Sequence, residues 1–358
     1  MEQVRATEIR GGATRMSLGG RPLRDIGEFA LLEQIARVAE RPEPSSRLKL
    51  GIGDDAAVWE PRPHRWLVVS SDTLVERVHF RLDWTDWESL GHKALAVNLS
   101  DLAAMGARPW LALVALGLRG SERDQEIMAF YRGMRRLADR FRVEIVGGDL
   151  SSSPQAVTIT VTVIGDGPND PQGLLTRSAA QPGDWIGVTG PLGLAAAGLR
   201  IYERDLRLLD GSPVMQEAYN RPCPRVREGL LLRRCGVRAA MDISDGLFGD
   251  LPKMCQQSHV SAVVDLFAIP IPNAVKWAFD DWQDVALRTG EDYELLFTAP
   301  PPIFERVCTV FARAGLRPPY RIGEVIPCGE EEPQLFVRNV LGRIEPVIAR
   351  GYSHFSSA

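Results

Sequence analysis

Apolar residues recur at helical spacing between Ile26 and Glu40, where Ile26, Phe29, Leu32, Ile35 and Ala39 share one face. That stripe predicts an amphipathic helix, closed by Arg41-Pro42-Glu43-Pro44. Trp66–Ser71 and Trp110–Leu118 are apolar runs of strand type. Asp86–Gly106 reads as a long helix with a terminal glycine stop. Ser121–Phe141 reads as a helix opened by Ser121 with Asp124, its buried face carrying Ile127, Phe130, Met134, Leu137 and Phe141. Val143–Val146 and Ala156–Gly165 are predicted strands, and Thr158, Thr160 and Thr162 alternate along the second. The polar, Gly- and Pro-rich stretch Asp166–Gly173 then reads as a linker. Beyond it come predicted strands at Asp184–Thr189, Val237–Ile243, Val260–Leu266 and Tyr293–Thr298, with helices from Leu192 and over Arg225–Cys235.

Strands and helices alternate in both halves, which predicts a two-domain α/β (α+β) enzyme. The expected divisions are a disordered tail over residues 1–24, an N-terminal domain over 25–168 and a C-terminal domain over 174–358. The length of 358 residues agrees, at about 150 per domain. The tail carries Arg5, Arg10, Arg15, Arg21 and Arg24 without an apolar core, so it does not read as a secretory signal.

Composition narrows the function. A net charge of −4 argues against wholesale nucleic-acid binding. The longest apolar stretch, around Trp110–Leu118, is too short to span a membrane. Five cysteines, all in the second half and without a C-x-x-C pair, suit neither a disulfide framework nor a thiolate zinc site. Free thiols in a reducing cytoplasm are the expectation. The only lysines are Lys49, Lys93, Lys253 and Lys276, and none follows a glycine, so the lysine-bearing phosphate loop is absent.

The candidate chemistry lies in carboxylates set beside small residues. They occur in Gly51-Ile-Gly-Asp-Asp-Ala-Ala57, Ser70-Ser-Asp-Thr73, Asn98-Leu-Ser-Asp101, Gly147-Gly-Asp149, Asp242-Ile-Ser-Asp-Gly246 and Gly290-Glu-Asp-Tyr-Glu294. Several follow strands directly, where α/β enzymes place ligands. Asp101 is the most telling, because the only polar side chains from Ala94 to Ala107 are Asn98, Ser100 and Asp101. A helix apolar on nearly all sides is buried, and a buried carboxylate needs a partner. A metal ion supplies one; backbone amides or a distant arginine are the plainer alternative. Asp72 repeats the pattern at the end of a strand. Asp54 and Asp55 place like charges side by side, which requires solvent or a cation. Asp149 follows two glycines that would let a phosphate approach the backbone, while Asp242 and Asp245 flank Ser244 where helix caps are an equal explanation. Repeated oxygen-only sites suit Mg²⁺. Gly51-x-Gly53-x-x-Ala56 comes close to a dinucleotide fingerprint, but its aspartates would repel a pyrophosphate and a strand follows it.

These segments, in this order, resemble the thiamine-monophosphate kinases, whose superfamily includes aminoimidazole ribonucleotide synthetase and selenophosphate synthetase. The matching runs are GIGDDAAV at Gly51, SSDTLVERVHF at Ser70, KALAVNLSDLAAMGA at Lys93, VGGD at Val146, LLTRSAAQPGDWIGVTG at Leu174, MDISDGL at Met241 and GEDYELLFT at Gly290. The resemblance implies an N-terminal α/β domain whose strands pair across a homodimer, covered by an α/β C-terminal domain. It implies ATP as co-substrate, several Mg²⁺ ions, and the conversion of thiamine monophosphate to thiamine diphosphate. By motif, Asp55, Ser70, Ser71, Asp72, Asp101, Asp149, Asp242 and Asp245 would form the magnesium shell, with Asp72, Asp101 and Asp149 central to catalysis. Gly148, Asp149, Arg177 and Ser244 would hold ATP, and His79, Glu291 and Tyr352 the acceptor. Leu150 and Ser151 replace two threonines common in the family, Arg77 and Thr289 stand where glycine is common, and Ser71 replaces a frequent threonine. Another ATP-dependent enzyme of the superfamily is the alternative, although selenophosphate synthetases carry an N-terminal reactive cysteine and the first one here is Cys223. A homologue that binds nucleotide without chemistry is a further alternative.

Overall fold

A computed structural model of the chain describes residues 20–348, except 26–27, 51, 53–57, 171–172, 208, 210 and 330–331. The N-terminal half contains helices α1 (Glu28–Ala39), α2 (Trp87–Ala104) and α3 (Asp124–Phe141). Its strands are β1 (Leu48–Leu50), β2 (Val58–Trp59), β3 (Arg65–Val75), β4 (Arg108–Leu118), β5 (Glu144–Ser152) and β6 (Thr158–Pro168). Four of them form a sheet in the order β3-β6-β4-β5, antiparallel except for the β4–β5 pair. The β3–β6 ladder runs without a bulge from Arg65 opposite Pro168 to Val75 opposite Thr158.

Helix α2 begins where the Asp86 carboxylate accepts the Ser89 amide at 2.8 Å. Leu90, Leu95, Leu99 and Leu102 are fully buried along it, each worth about 2 kcal/mol of transfer from water. It crosses α3 at two glycines. A Cβ on Gly91 would lie 1.9 Å from the Phe130 carbonyl oxygen, and one on Gly133 1.8 Å from that of Glu88. Helix α3 starts later than the Ser121 pattern predicts. Its opening amide, Arg123 N–H, donates to the Glu126 carboxylate at 2.9 Å.

The C-terminal half contains β7 (Trp185–Val188), α4 (Leu194–Glu203), α5 (Ser212–Asn220), α6 (Val226–Arg234), β8 (Ala239–Asp242) and α7 (Leu247–Ser258). It continues with β9 (Val260–Asp265), α8 (Asn273–Ala278), α9 (Trp282–Arg288), β10 (Leu295–Ala299), α10 (Pro301–Arg313), β11 (Tyr320–Pro327), β12 (Leu335–Arg338) and β13 (Ile344–Pro346). Seven strands form one sheet in the order β13-β12-β9-β11-β7-β10-β8, with β12–β9 its parallel pair. The α/β architecture of two mixed sheets with packed helices agrees with the expectation from sequence. One apolar core joins the halves: Leu99 and Leu102 of α2 pack in the same cluster as Val226, Leu232 and Phe297. Helix α2 therefore lies between the sheets, with side chains available to both.

Candidate active site

Strand β3 presents alternate residues to opposite faces. Ser70 and Asp72 turn toward α2, while Ser71 and Thr73 turn outward and meet Thr162 and Thr160 through hydroxyl contacts of 2.8 Å each. On the inner side the Asp72 amide donates to Asn98 Oδ1 at 2.9 Å, and Ser70 Oγ donates to Asp101 Oδ2 at 2.5 Å. From the next position on α2, Ser100 Oγ donates to Asp242 Oδ2 at 2.7 Å, at the end of β8. Neighbouring residues of α2 thus reach both sheets: Asp101 accepts from the Ser70 hydroxyl of β3, and Ser100 donates to the Asp242 carboxylate of β8.

Asp72, Asp101 and Asp242 line a cavity of about 950 Å³ together with Arg177 and Ser244. Burial pushes the Asp101 carboxyl up to about 6, helped by the Asp72 charge and opposed by the Ser70 hydrogen bond and Arg177. Asp242 is likewise raised to about 6, by burial and then by Asp101, against the pull of Ser100 and Arg177. Asp72 is raised by burial and by the charge of Asp242. The lining contains one cation near these groups, the exposed Arg177, whose guanidinium favours their ionised forms.

The far wall carries His79 and Glu291. His79 Nδ1 accepts the Val75 amide at 3.0 Å and its carbonyl accepts the Tyr219 hydroxyl at 3.0 Å. Arg77, where the family commonly has glycine, adopts φ +69° in this turn and donates its amide to the Phe80 carbonyl at 2.7 Å. Glu291 has φ +81° and an ion pair with Lys93 at 2.6 Å. Lys93 is buried, and its ammonium also lies 3.5 Å from the Tyr219 ring centre. Burial lowers its pKa while Glu291 raises it. Gly290 before it allows a close crossing, since a Cβ there would sit 1.6 Å from the Ser244 carbonyl oxygen.

Asp245 lines the cavity but pairs with Lys253 at 2.5 Å. Lys253 also reaches Asp250 at 2.8 Å, and Asp250 accepts the Ser244 and Asp245 amides at 2.9 and 2.8 Å. The structure therefore brings together Ser70, Asp72, His79, Asp101, Arg177, Asp242, Ser244, Asp245 and Glu291. It places Ser71 on the opposite face of β3. Gly148 and Asp149 lie within β5 rather than in a turn; Asp149 is exposed, and neither lines the cavity. Asp55 and Tyr352 lie outside the described residues.

Comparison with known proteins gives this geometry its context. Residues 53–166 match the family of AIR synthase related protein, N-terminal domain, and residues 181–335 match its C-terminal domain. A thiamine-monophosphate kinase of Escherichia coli (strain K12) is 38% identical over 342 residues, which cover 92% of this chain and 99% of that protein. The crystal structure of a thiamine-monophosphate kinase from Stenotrophomonas maltophilia K279a is 39% identical, covers 87% of this chain and 96% of its own, and has a TM-score of 0.76. The chain belongs to the thiamine-monophosphate kinase family. It is a kinase. A further structure, AaThiL complexed with AMPPCP and TMP, is 30% identical and covers 95% of this chain and 100% of its own, with a TM-score of 0.71.

The donor set accommodates the magnesium that a thiamine-monophosphate kinase fold implies. Among the described residues no three His, Cys, Asp or Glu groups form a closed metal-binding cluster. Mg²⁺ does not need one, because it keeps several waters and takes one or two carboxylates plus substrate phosphates. Three oxygen-only carboxylates whose ionisation is resisted by burial and by one another's charge suit that role.

Three contributors escape a reading of sequence alone: Lys93, Asp250 and Lys253. Lys93 had the clearest signal, a lysine opening an otherwise apolar helical run in a chain with few lysines.

Proposed function

We propose that the chain transfers the γ-phosphoryl group of ATP directly to thiamine monophosphate, giving ADP and thiamine diphosphate, with several Mg²⁺ ions bound. The convergence of Asp72, Asp101 and Asp242 beside Arg177 on one cavity carries this reading. The names of the relatives, and the AMPPCP and TMP in the complex of one of them, support it.

The acceptor is a phosphate monoester with a second pKa of about 6, so it is largely ionised at neutral pH and needs no strong base. The obstacle is the meeting of two anions, and catalysis of phosphoryl transfer is mainly positioning and charge neutralisation. Bound Mg²⁺ would supply that neutralisation. Asp72, Asp101 and Asp242 would hold it, with Ser70 and Ser100 orienting two of these carboxylates. Arg177 adds a fixed positive charge, and Ser244 faces the same space for ATP. His79 and Glu291 would border the acceptor. Because Glu291 is already paired with Lys93, its role at the cationic thiazolium is that of a half-neutralised neighbour. Asp55, Asp149, Gly148, Ser71 and Tyr352 remain part of the proposal by motif alone.

A homodimer and two domains, divided at residues 166–173, belong to the same proposal. The outer face of β3 supports the dimer, with Leu67 60% and Val69 59% exposed. Five free cysteines support a reducing, cytoplasmic setting. No helix among the described residues is long and apolar enough to cross a membrane.

The deciding assay follows ADP release with Mg²⁺, with and without thiamine monophosphate, and identifies the product. Release that requires the acceptor and yields thiamine diphosphate is expected; acceptor-independent release overturns the reading. Radiolabelled phosphate trapped on the protein from γ-labelled ATP would refute direct transfer.

A further inference from the structure

A second cavity of about 960 Å³ opens between the N-terminal half and α6, and it shares no lining residue with the first. Nine of its lining residues are arginines and one, Glu228, is acidic; none is lysine. The arginines come from separate elements: Arg62 and Arg65 around the start of β3, Arg108 at the start of β4, Arg142 just after α3, and Arg233 and Arg234 at the end of α6. The fold, rather than one local run of charge, brings them together.

The cluster is not internally neutralised. The fully buried Asp166 is shared by Arg65 at 2.9 Å and Arg62 at 3.7 Å. Among the described residues, Arg108, Arg142, Arg233 and Arg234 have no carboxylate at ion-pair distance. The Nε atoms of Arg65 and Arg233 are buried without a hydrogen-bond partner. The guanidiniums also disfavour one another: Arg108 and Arg233 are lowered first by burial and then by neighbouring arginines. Such a cleft is short of anions.

We propose that this cleft binds a small anion carrying two or more linked phosphates. Guanidinium forks match phosphate oxygens bidentately, which lysine does not. A single phosphate brings only about two negative charges, far fewer than the surplus here. The volume lies in the range of small-molecule sites, roughly 300–1,000 Å³. A net chain charge of −4 and a concave cleft favour a small polyanion over a nucleic acid. The shared chemistry fits a nucleotide or a free oligophosphate.

Calorimetric titration of the full chain with inorganic tripolyphosphate, in metal-free buffer, tests the site. Arg142 and Arg234 are exposed and lie outside the first cavity, so Arg142→Glu with Arg234→Glu should fold and melt as the parent does. The expected result is one saturable site, weakened at least tenfold in the double variant, weakened less in Arg234→Gln, and unchanged in Arg177→Ala. ADP as titrant separates the sources: tighter binding than tripolyphosphate that is lost in the double variant assigns a nucleotide, and weaker binding assigns a free oligophosphate. Equal affinity in the double variant, loss in Arg177→Ala, or displacement of tripolyphosphate by a far tighter RNA oligomer overturns the proposal.

Discussion

Asp101 and Asp242 lie in surroundings that resist their charge, each with a serine hydroxyl as its nearest polar neighbour. Both hold protons up to about pH 6, whereas in the unfolded chain aspartate releases its proton at about pH 4. Between those values the folded state binds more protons, so stability falls as pH rises and stays low above the folded value. Magnesium would compete for the same carboxylates. The rise in melting temperature on adding MgCl₂ should therefore be larger at pH 7.5 than at pH 5, and equal rises would contradict the assignment. Asp101→Asn should cut Mg²⁺-dependent turnover by at least about 100-fold, the upper end for removing even an outer-shell partner. Its melting temperature in metal-free buffer should hold or rise, because a resisted charge is gone. Near-parental turnover would show that the cluster is misassigned. Asp101 was legible from composition alone, as a carboxylate in an apolar helix. Asp149 was not placed so well: two glycines before it read as a turn, whereas the ladder with β4 carries Gly147, Gly148 and Asp149 inside a strand.

At the scale of elements, α2 shows how local pattern and tertiary need coincide. Its apolar surface on nearly every side announces burial, and the sheets on either side meet that expectation. What the pattern does not announce is the close approach to α3, which depends on Gly91 and Gly133 meeting backbone oxygens. Gly133→Ala should destabilise the protein by about 1–3 kcal/mol, the range of overpacking, seen as a lower urea midpoint with an unchanged slope. An unchanged midpoint would mean that the helices can separate at little cost. Helices α5 and α10 were missed because each carries proline in its first turn, at Pro213 and Pro301. Proline reads as a breaker along the chain, yet its missing N–H costs nothing in a first helical turn.

For the whole molecule, the two matched family domains cover residues 53–166 and 181–335, and Asp166–Pro168 of the expected linker belong to strand β6, with Asp166 fully buried. A linker carries no information about shared packing, however. The cluster that unites Leu99 with Phe297 and Phe311 depends on contacts far apart in sequence. The proposed dimer is tested at the same scale. Leu67→Glu with Val69→Glu should shift the sedimentation coefficient toward a monomer, while a coefficient equal to the parent's would place the interface elsewhere.

The uninterrupted β3–β6 ladder also bears on how this chain tolerates length changes. Because faces alternate, losing one residue between Arg65 and Val69 would bring Ser71 and Thr73 inward and turn Ser70 and Asp72 out. A single deletion there would strip the cavity of its β3 carboxylate and set polar hydroxyls against α2. The fold should absorb single substitutions along this strand away from Ser70 and Asp72, but not insertions and deletions, and a deletion scan would find its least forgiving stretch there.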